Sequence, residues 1–387
     1  MGVSRVWRRW TTHPADSLTV SVEWVRELRI GVVGTGMMGC EHIRNVLALP
    51  GARVSAISDP NDEPLEWARA TLGTEGRDVE VFGDHRALLA SGLVDAVIVA
   101  SPNHTHVDVL HDVLTTDVPV LVEKPMCTTV DDCLVVAQAA ARRSAITWVG
   151  LEYRYMAPIA ALLDIVRTRE IGDLKMLAIR EHRFPFLKKV GDWNRFSRNT
   201  GGTLVEKCCH FFDLMNLAVG ARPTRVYASG GQDVNHLDES YDGETPDILD
   251  NAYVIVDYAN GVRASLDLCM FAEAGRNEQE IVAVGSDGKV EAAVPGDGSV
   301  WVGRRTDRVV ESRPAPIDPM VAHTGFHFGA SYVEVARFCE AVRTGGAAEV
   351  TTSDGLWSVA VGAAAHRSID EGRPVSLAEY GLDVSSR

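Results

Sequence analysis

Basic residues are in short supply in this 387-residue chain: 38 Lys and Arg stand against 53 Asp and Glu, a formal net charge of −15. A field of that sign repels phosphate, which excludes a general nucleic-acid or anionic-membrane binder and leaves only local basic pockets. Apolar runs are short, none reaching the roughly 18 residues of a membrane-spanning helix, so a soluble protein is expected. Cysteines are few, and the seven present, Cys40, Cys127, Cys133, Cys208, Cys209, Cys269 and Cys339, are odd in number and lack CxxC spacing. That usage fits a reducing cytoplasm. A secretory leader is not expected either. Residues 1–27 carry Arg5, Arg8 and Arg9 beside Trp7 and Trp10, but the following TTHPADSLTVSVEW is too polar for an apolar leader core, so the segment reads as a loosely held extension or a misjudged start codon.

What is present is a globular composition, 46% hydrophobic and 24% charged, on a chain long enough that two domains are expected. From Leu28 to Gly150 six short apolar runs, LRIGVV, RVSAIS, VEVF, VDAVIVA, VPVLV and AITWVG, alternate with helical periodicity. Strands that are apolar throughout suit a parallel sheet covered on both faces by crossover helices. Beyond Gly150 the pattern changes to helices at Met156–Glu170 and Leu204–Val219. Strand runs then follow in succession, RVYASGG, AYVIVDYA, VRASLDLCMF, EIVAVGS and KVEAAV. The fold class expected is α/β, with a doubly wound parallel sheet over 28–150. An α/β domain over 151–387 should carry a large, mostly antiparallel open sheet. Two closing helices, near Ser331–Arg343 and Ser353–Asp370, should pack back on the first domain.

Directly after the first strand comes GTGMMG, with Gly34, Gly36 and Gly39 spaced as GxGxxG around Met37 and Met38. In a strand-to-helix turn the first glycine permits the tight turn, the second lets backbone approach a pyrophosphate and the third allows close helix packing. This is the Rossmann arrangement, with the phosphate charge met at the helix N-terminus. Asp59 ends the second strand, where a carboxylate accepts from ribose hydroxyls and repels a 2′-phosphate, so NAD is preferred over NADP. Its alternative role is to cap the next helix.

The tetrapeptide LVEK occurs twice, in LVEKPM (Leu121–Met126) and in LVEKCCHFFD (Leu204–Asp213). The first closes the fifth strand and so puts Glu123 and Lys124 at the carboxyl edge of the sheet, where open α/β sheets bind ligands. GTGMMG, SPNHTH (Ser101–His106), EKP (Glu123–Pro125) and GGTLVEKCCHFFD, in that order, resemble the signature of the Gfo/Idh/MocA family of oxidoreductases. The resemblance implies that Lys124 touches both substrate hydroxyl and nicotinamide ribose. Glu123 would lie nearer the cofactor, and Ser101, Pro102, Asn103 and His106 would line the cofactor cleft. It also allows a cis Lys124–Pro125 bond and implies that the open sheet supports oligomerisation. His104 and His106 form HxH without an acidic or cysteine partner at metal-binding spacing, so no metal is expected.

In the second LVEK, Thr203 and Glu206 fit a capping box. Helical spacing alternatively puts Glu206, His210 and Asp213 on one face, where a carboxylate orients an imidazole and favours its protonated form. The resembling family usually carries Asp-x-x-x-His here, with the histidine accepting the hydroxyl proton; His210 matches, and Glu206 departs by one methylene. Candidate lining groups are Tyr153, Arg154 and Tyr155 after the sixth strand, and Trp193, Asn194 and Arg195 in GDWNRFSRN. The run from His236 to Asp250, with six carboxylates, reads as a solvated loop.

The expectation is an NAD-dependent dehydrogenase of a secondary hydroxyl of a sugar, cyclitol or related polyol. Lys124, His210 and Glu206 are its catalytic groups, Lys124, Arg154, Trp193, Asn194 and His210 meet substrate, and the assembly is a homo-oligomer. The alternatives are an NAD-using glycosidase of the same fold with no net redox, and a dinucleotide-binding sensor or co-repressor.

Overall fold

The structure, a computed structural model, describes residues 3–5 and 24–385. Most of the N-terminal extension therefore lies outside the described residues, although β1 (Val3–Arg5) pairs antiparallel with β2 (Trp24–Arg26).

Six strands form the first sheet: β3 (Leu28–Val33), β4 (Ala52–Ser58), β5 (Glu80–Phe82), β6 (Ala96–Val99), β7 (Val120–Glu123) and β8 (Thr147–Gly150). Every pair is parallel and the spatial order is β5-β4-β3-β6-β7-β8. That order is the doubly wound one, and it reverses between β3 and β6, leaving a crevice beyond their carboxyl ends. All four residues of β6, β7 and β8 are buried, as the unbroken apolar runs require. The helices of this half are α1 (Met37–Ala48), α2 (Asp62–Leu72), α3 (His85–Ala90), α4 (His106–Val113) and α5 (Val130–Ala140).

The second sheet has nine strands: β9 (Leu174–His182), β10 (Pro223–Gly231), β11 (Asn251–Tyr258), β12 (Arg263–Cys269), β13 (Gln279–Gly285), β14 (Gly288–Val294), β15 (Ser299–Arg304), β16 (Val310–Pro314) and β17 (Val375–Ser376). Its order is β16-β15-β14-β13-β9-β12-β11-β10-β17, and only β9 with β12 is parallel. β9 was not among the sequence-read strands, because LKMLAIREH mixes charge into its apolar alternation. Along β11 and β12 buried and open residues alternate, so one face packs and the other is open, with Tyr227, Tyr253, Ile255 and Met176 exposed.

The covering helices are α6 (Ala157–Arg167), α7 (Ser197–Thr200), α8 (Thr203–Glu206), α9 (Cys209–Val219), α10 (Ala330–Thr344) and α11 (Thr352–Glu371). α11 starts in a capping box of Thr351 and Asp354 and packs against α5, α8, α9 and β10, tying the two sheets together. On α11, His366 Nε2 accepts from the Leu204 N–H at 3.0 Å. A Cβ at Gly362 would lie 2.5 Å from the Leu204 carbonyl, so α11 holds the start of α8 by close backbone approach.

Candidate active site

A cleft of about 670 Å³ opens beyond the carboxyl ends of β3, β4, β6 and β7. Its wall runs from Asp59, Asn61 and Trp67, past Gly34, Gly36, Met37 and Met38, to Ser101–Thr105, Lys124, Lys189, Trp193 and Glu206. The three glycines do different work. Gly34 has φ +86°, and a Cβ there would lie 2.4 Å from Ser101 N; one at Gly39 would lie 2.1 Å from the Gly34 carbonyl. Both are needed for the chain to pack. A Cβ at Gly36 would meet nothing within 4 Å, although Gly36 is the residue from which α1 starts. The space kept open there, facing the amide end of a twelve-residue helix with no acidic residue in its first turn, fits a pyrophosphate.

Asp59 is buried at the next strand end. One carboxylate oxygen accepts from Thr35 N at 2.9 Å and the other from Asn61 N at 3.0 Å. It therefore fixes the glycine turn while still bordering the cleft, and it is not the N-cap of α2, a position taken by Asn61. The charge it brings suits NAD.

Ser101, Pro102 and Asn103 line the cleft, but His106 does not. His106 is fully buried, its Nδ1 2.8 Å from the Pro125 carbonyl and its Nε2 3.0 Å from that of Ser101. It ties the loop after β6 to the loop after β7, a structural task that its burial on the inner side of α4 imposes. The cleft-facing member of HxH is His104, which meets Trp193 edge-on at 6.1 Å. Among the described residues no three His, Cys, Asp or Glu side chains are grouped to hold a metal ion.

Glu123 is buried and 2.6 Å from His42 Nε2 on α1. Burial opposes its charge, but the His42 contact and Lys124 outweigh it and hold the carboxyl at about 2. Lys124 follows, its peptide bond to Pro125 cis, with Nζ 3.4 Å from the Glu206 carbonyl. Burial opposes this ammonium too, yet the acidic groups Cys209, Glu123, Glu152 and Glu206 raise it above the usual lysine range. Lys124 is thus a retained cation suited to holding and polarising an oxygen.

The second LVEK departs from expectation. Thr203 is no capping residue: Gly202 is the N-cap of α8, and Thr203 Oγ1 donates to the Leu249 carbonyl at 2.5 Å. The helix does not run through to His210, because α8 ends at Glu206 and α9 begins at Cys209. At the bend the Cys208 N–H reaches back five residues to the Thr203 carbonyl, a local widening of the helix. The Glu206 carbonyl is thereby left to accept from Lys124 Nζ and from the Cys209 thiol. The bend also removes the i, i+4 relation, so the carboxylate facing His210 is Glu152, whose Oε1 is 3.8 Å from His210 Nε2. Asp213 is turned away into a two-point pair with Arg154, whose Nε is 2.6 Å from Asp213 Oδ2.

His210 is buried behind the cleft wall and stacked on Tyr153, ring centroids 3.8 Å apart and planes within 5°. Burial first, then the charges of Lys124 and Lys207, push its basicity well below the ordinary range, so the resting ring is neutral. This reverses the expected stabilisation of the charged form. Lys207 is also buried and donates to Tyr153 Oη at 2.7 Å while pairing with Glu181 at 2.9 Å. Burial raises the Glu206 carboxyl, against the pull of Lys124 and Lys189, and at the cleft wall its Oε2 has no hydrogen-bond partner among the described residues.

Of the other lining candidates, Trp193 reaches the cleft, whereas Tyr153, Arg154, Tyr155, Asn194 and Arg195 do not. Arg154 is committed to Asp213, and Asn194 is fully buried, donating to the Leu187 carbonyl at 2.9 Å. Arg195 pairs with Glu239 at 2.8 Å. Glu239 also accepts from Tyr241, and Asp250 takes the backbone N–H groups of Asp233, Val234 and Asn235, so the acidic run is pinned by hydrogen bonds and is not simply solvated. Sequence reasoning missed His42, Glu152, Lys189 and His327. The signal for Glu152 was its place beside Tyr153 at the end of β8, and that for His42 its place on the first helix facing β7.

Residues 28–151 match the NAD-binding Rossmann fold of an oxidoreductase family, and residues 164–377 match that family's C-terminal alpha/beta domain. The chain is 28% identical to the uncharacterized oxidoreductase YrbE of Bacillus subtilis, over 91% of this chain and 97% of that one. It is 30% identical to the inositol 2-dehydrogenase of Pseudarthrobacter chlorophenolicus, over 67% and 74% respectively. A probable dehydrogenase from Thermotoga maritima superposes with a TM-score of 0.73 at 25% identity, covering 91% of this chain and all of that one. The fold is shared with levoglucosan dehydrogenase solved with NADH, at a TM-score of 0.78 and 20% identity, covering 90% and 99%. With the glycine turn and the EKP strand end on one cleft and His210 buried behind its wall, the chain belongs to the Gfo/Idh/MocA family of NAD-binding oxidoreductases.

Proposed function

We propose that the protein oxidises a secondary hydroxyl of a cyclitol, sugar or related polyol to a ketone, reversibly, with Lys124 and His210 as its acid–base pair. The observation that carries this reading is the contrast between two buried neighbours, Lys124 kept cationic and His210 kept neutral. A cation holds and polarises the hydroxyl oxygen, and a neutral imidazole has a lone pair to take its proton; such assistance contributes roughly 10²–10⁴-fold in rate. Glu206, whose Oε2 on the cleft wall has no partner among the described residues, bonds a neighbouring hydroxyl, and Trp193 offers a ring face to the carbon skeleton. Gly34, Gly36, Met37, Met38 and Asp59 would hold NAD, with Ser101, Pro102, Asn103 and Glu123 along its cleft. When bound, NAD supplies the hydride acceptor.

The names of the relatives support polyol substrates, and the open apolar face around Tyr227, Tyr253, Ile255 and Met176 supports association with a second copy. Incubation with NAD and a panel of inositols, sugars and amino sugars should produce reduced nicotinamide with at least one member. Turnover of a glycoside without net NADH would point to the redox-neutral glycosidase instead.

A further inference from the structure

Taking a proton at His210 creates a difficulty that the cleft does not solve. The His210 side chain is 2% exposed, so a proton accepted there in each turnover needs a way out. Behind the ring lies a second acid–base pair. Glu152 Oε1 is 3.8 Å from His210 Nε2 and 3.2 Å from His327 Nδ1, and neither Glu152 oxygen has a hydrogen-bond partner among the described residues. Exposure increases in one direction, from 1% at the Glu152 side chain to 20% at that of His327. We propose that Glu152 and His327 form the proton exit from His210 to solvent. This rests on His210 being the base.

The substrate O–H bond breaks and its proton bonds to His210 Nδ1, which has no partner among the described residues, while Nε2 faces Glu152. As the neutral Glu152 carboxyl gives its own proton to His327 Nδ1, the ring releases one from Nε2 to the carboxylate left behind, across a gap that a shift of less than an ångström or one bridging water closes. His327 then releases a proton from its other nitrogen to water, and Glu152 is again the neutral acid. His327 Nδ1 is also 2.9 Å from Ser331 Oγ, which donates to it when unprotonated and releases it when it carries hydrogen. The charged and titratable groups facing Glu152 are Glu123 at the end of β7 and Lys124 just after it, the neighbouring Tyr153, Lys207 from the α8–α9 bend, Cys209 and His210 from α9, His327 from the segment before α10 and Glu334 from α10. Burial, followed by Glu123, raises Glu152 to about 8, while burial lowers His327 to about 3, so the resting proton sits on Glu152.

The test uses the full chain saturated with NAD. Histidine ring ¹⁵N shifts followed against pH should show His327 responding to the ionisation of Glu152, near pH 8, and Glu152→Gln should abolish that step while leaving the His182 ring unchanged. With myo-inositol as substrate, Glu152→Gln and His327→Gln should each lower kcat about 10- to 100-fold at unchanged KM, with recovery on adding imidazole or formate buffer. Superimposable His327 titrations in native and Glu152→Gln protein would overturn the proposal, as would unchanged kcat without buffer dependence. If Glu152→Gln does not fold, His327→Gln, at the exposed end, carries the same kinetic test, and if myo-inositol is not turned over the ring titration decides. His210→Ala separates the two readings: full turnover there removes the base, whereas a lost His327–Glu152 response removes only the exit.

Discussion

Gly36→Ala separates binding from folding in a way that the other two glycines of the turn do not permit. The added methyl would meet no protein atom within 4 Å, and Gly36 has φ −68°, within reach of alanine. Alanine is the poorer N-cap by several tenths of a kcal/mol, and the loss of unfolded-state freedom returns about 0.4–1 kcal/mol, so stability should change by less than about 1 kcal/mol. The methyl instead occupies space beside the N–H groups at the start of α1. Pushing a phosphate off one or two charge-assisted hydrogen bonds, worth about 1.5–3 kcal/mol each, should weaken NAD binding by roughly 10- to 10⁴-fold. Trp67 on the cleft wall provides the signal, through quenching of intrinsic fluorescence on NAD addition, with a urea melt as the folding control. Gly39→Ala, whose methyl would fall 2.1 Å from the Gly34 carbonyl, should lose stability first. Native-like NAD affinity in Gly36→Ala would refute the assignment of the turn.

Four further outcomes follow from the buried charges. His42→Ala strands the Glu123 carboxylate with its main partner gone, and should cost about 3–5 kcal/mol in urea unfolding. Because Glu123 is held at about 2, its pairing stabilises the fold above its unfolded range and is lost as pH falls from about 4.3 toward 2, so native acid stability should exceed that of Glu123→Gln less at pH 3 than at pH 6. Glu152 has the opposite sign: raised to about 8, it penalises the folded state progressively from about pH 4.3 to 8, so Glu152→Gln should gain in thermal stability over native protein at pH 8 and show little gain at pH 5. Lys124→Met, by removing a cation surrounded by acidic groups, should abolish turnover at more than about 100-fold while the chain still folds, checked by circular dichroism.

The first sheet was legible because its strands are apolar throughout and its phosphate turn has a fixed glycine grammar; LRIGVV through AITWVG each became a strand of the doubly wound order. β9 was not, since its alternation carries Lys175, Arg180 and Glu181 and its partners are distant in sequence. Lys124 was readable from its place at a strand end. The partner of His210 was not, because a two-residue bend between α8 and α9 replaces helical spacing with a tertiary neighbour, Glu152, brought from the end of β8. Arg154 and Asn194 looked like lining groups by type, but only packing decides that one meets Asp213 and the other the Leu187 carbonyl. His106 and His104 differ in the same way: the helix start turns one inward and the other to the cleft.

The central claim is that Lys124 and His210 carry acid–base chemistry on a polyol in an NAD-binding cleft. The most direct measurement pairs NAD affinity with the rate of nicotinamide reduction in His210→Ala, using whichever polyol of the panel the native chain oxidises fastest. The account predicts NAD affinity within about twofold of native and turnover lowered by roughly 10²–10⁴-fold. Native turnover in His210→Ala, with NAD still bound, would contradict it.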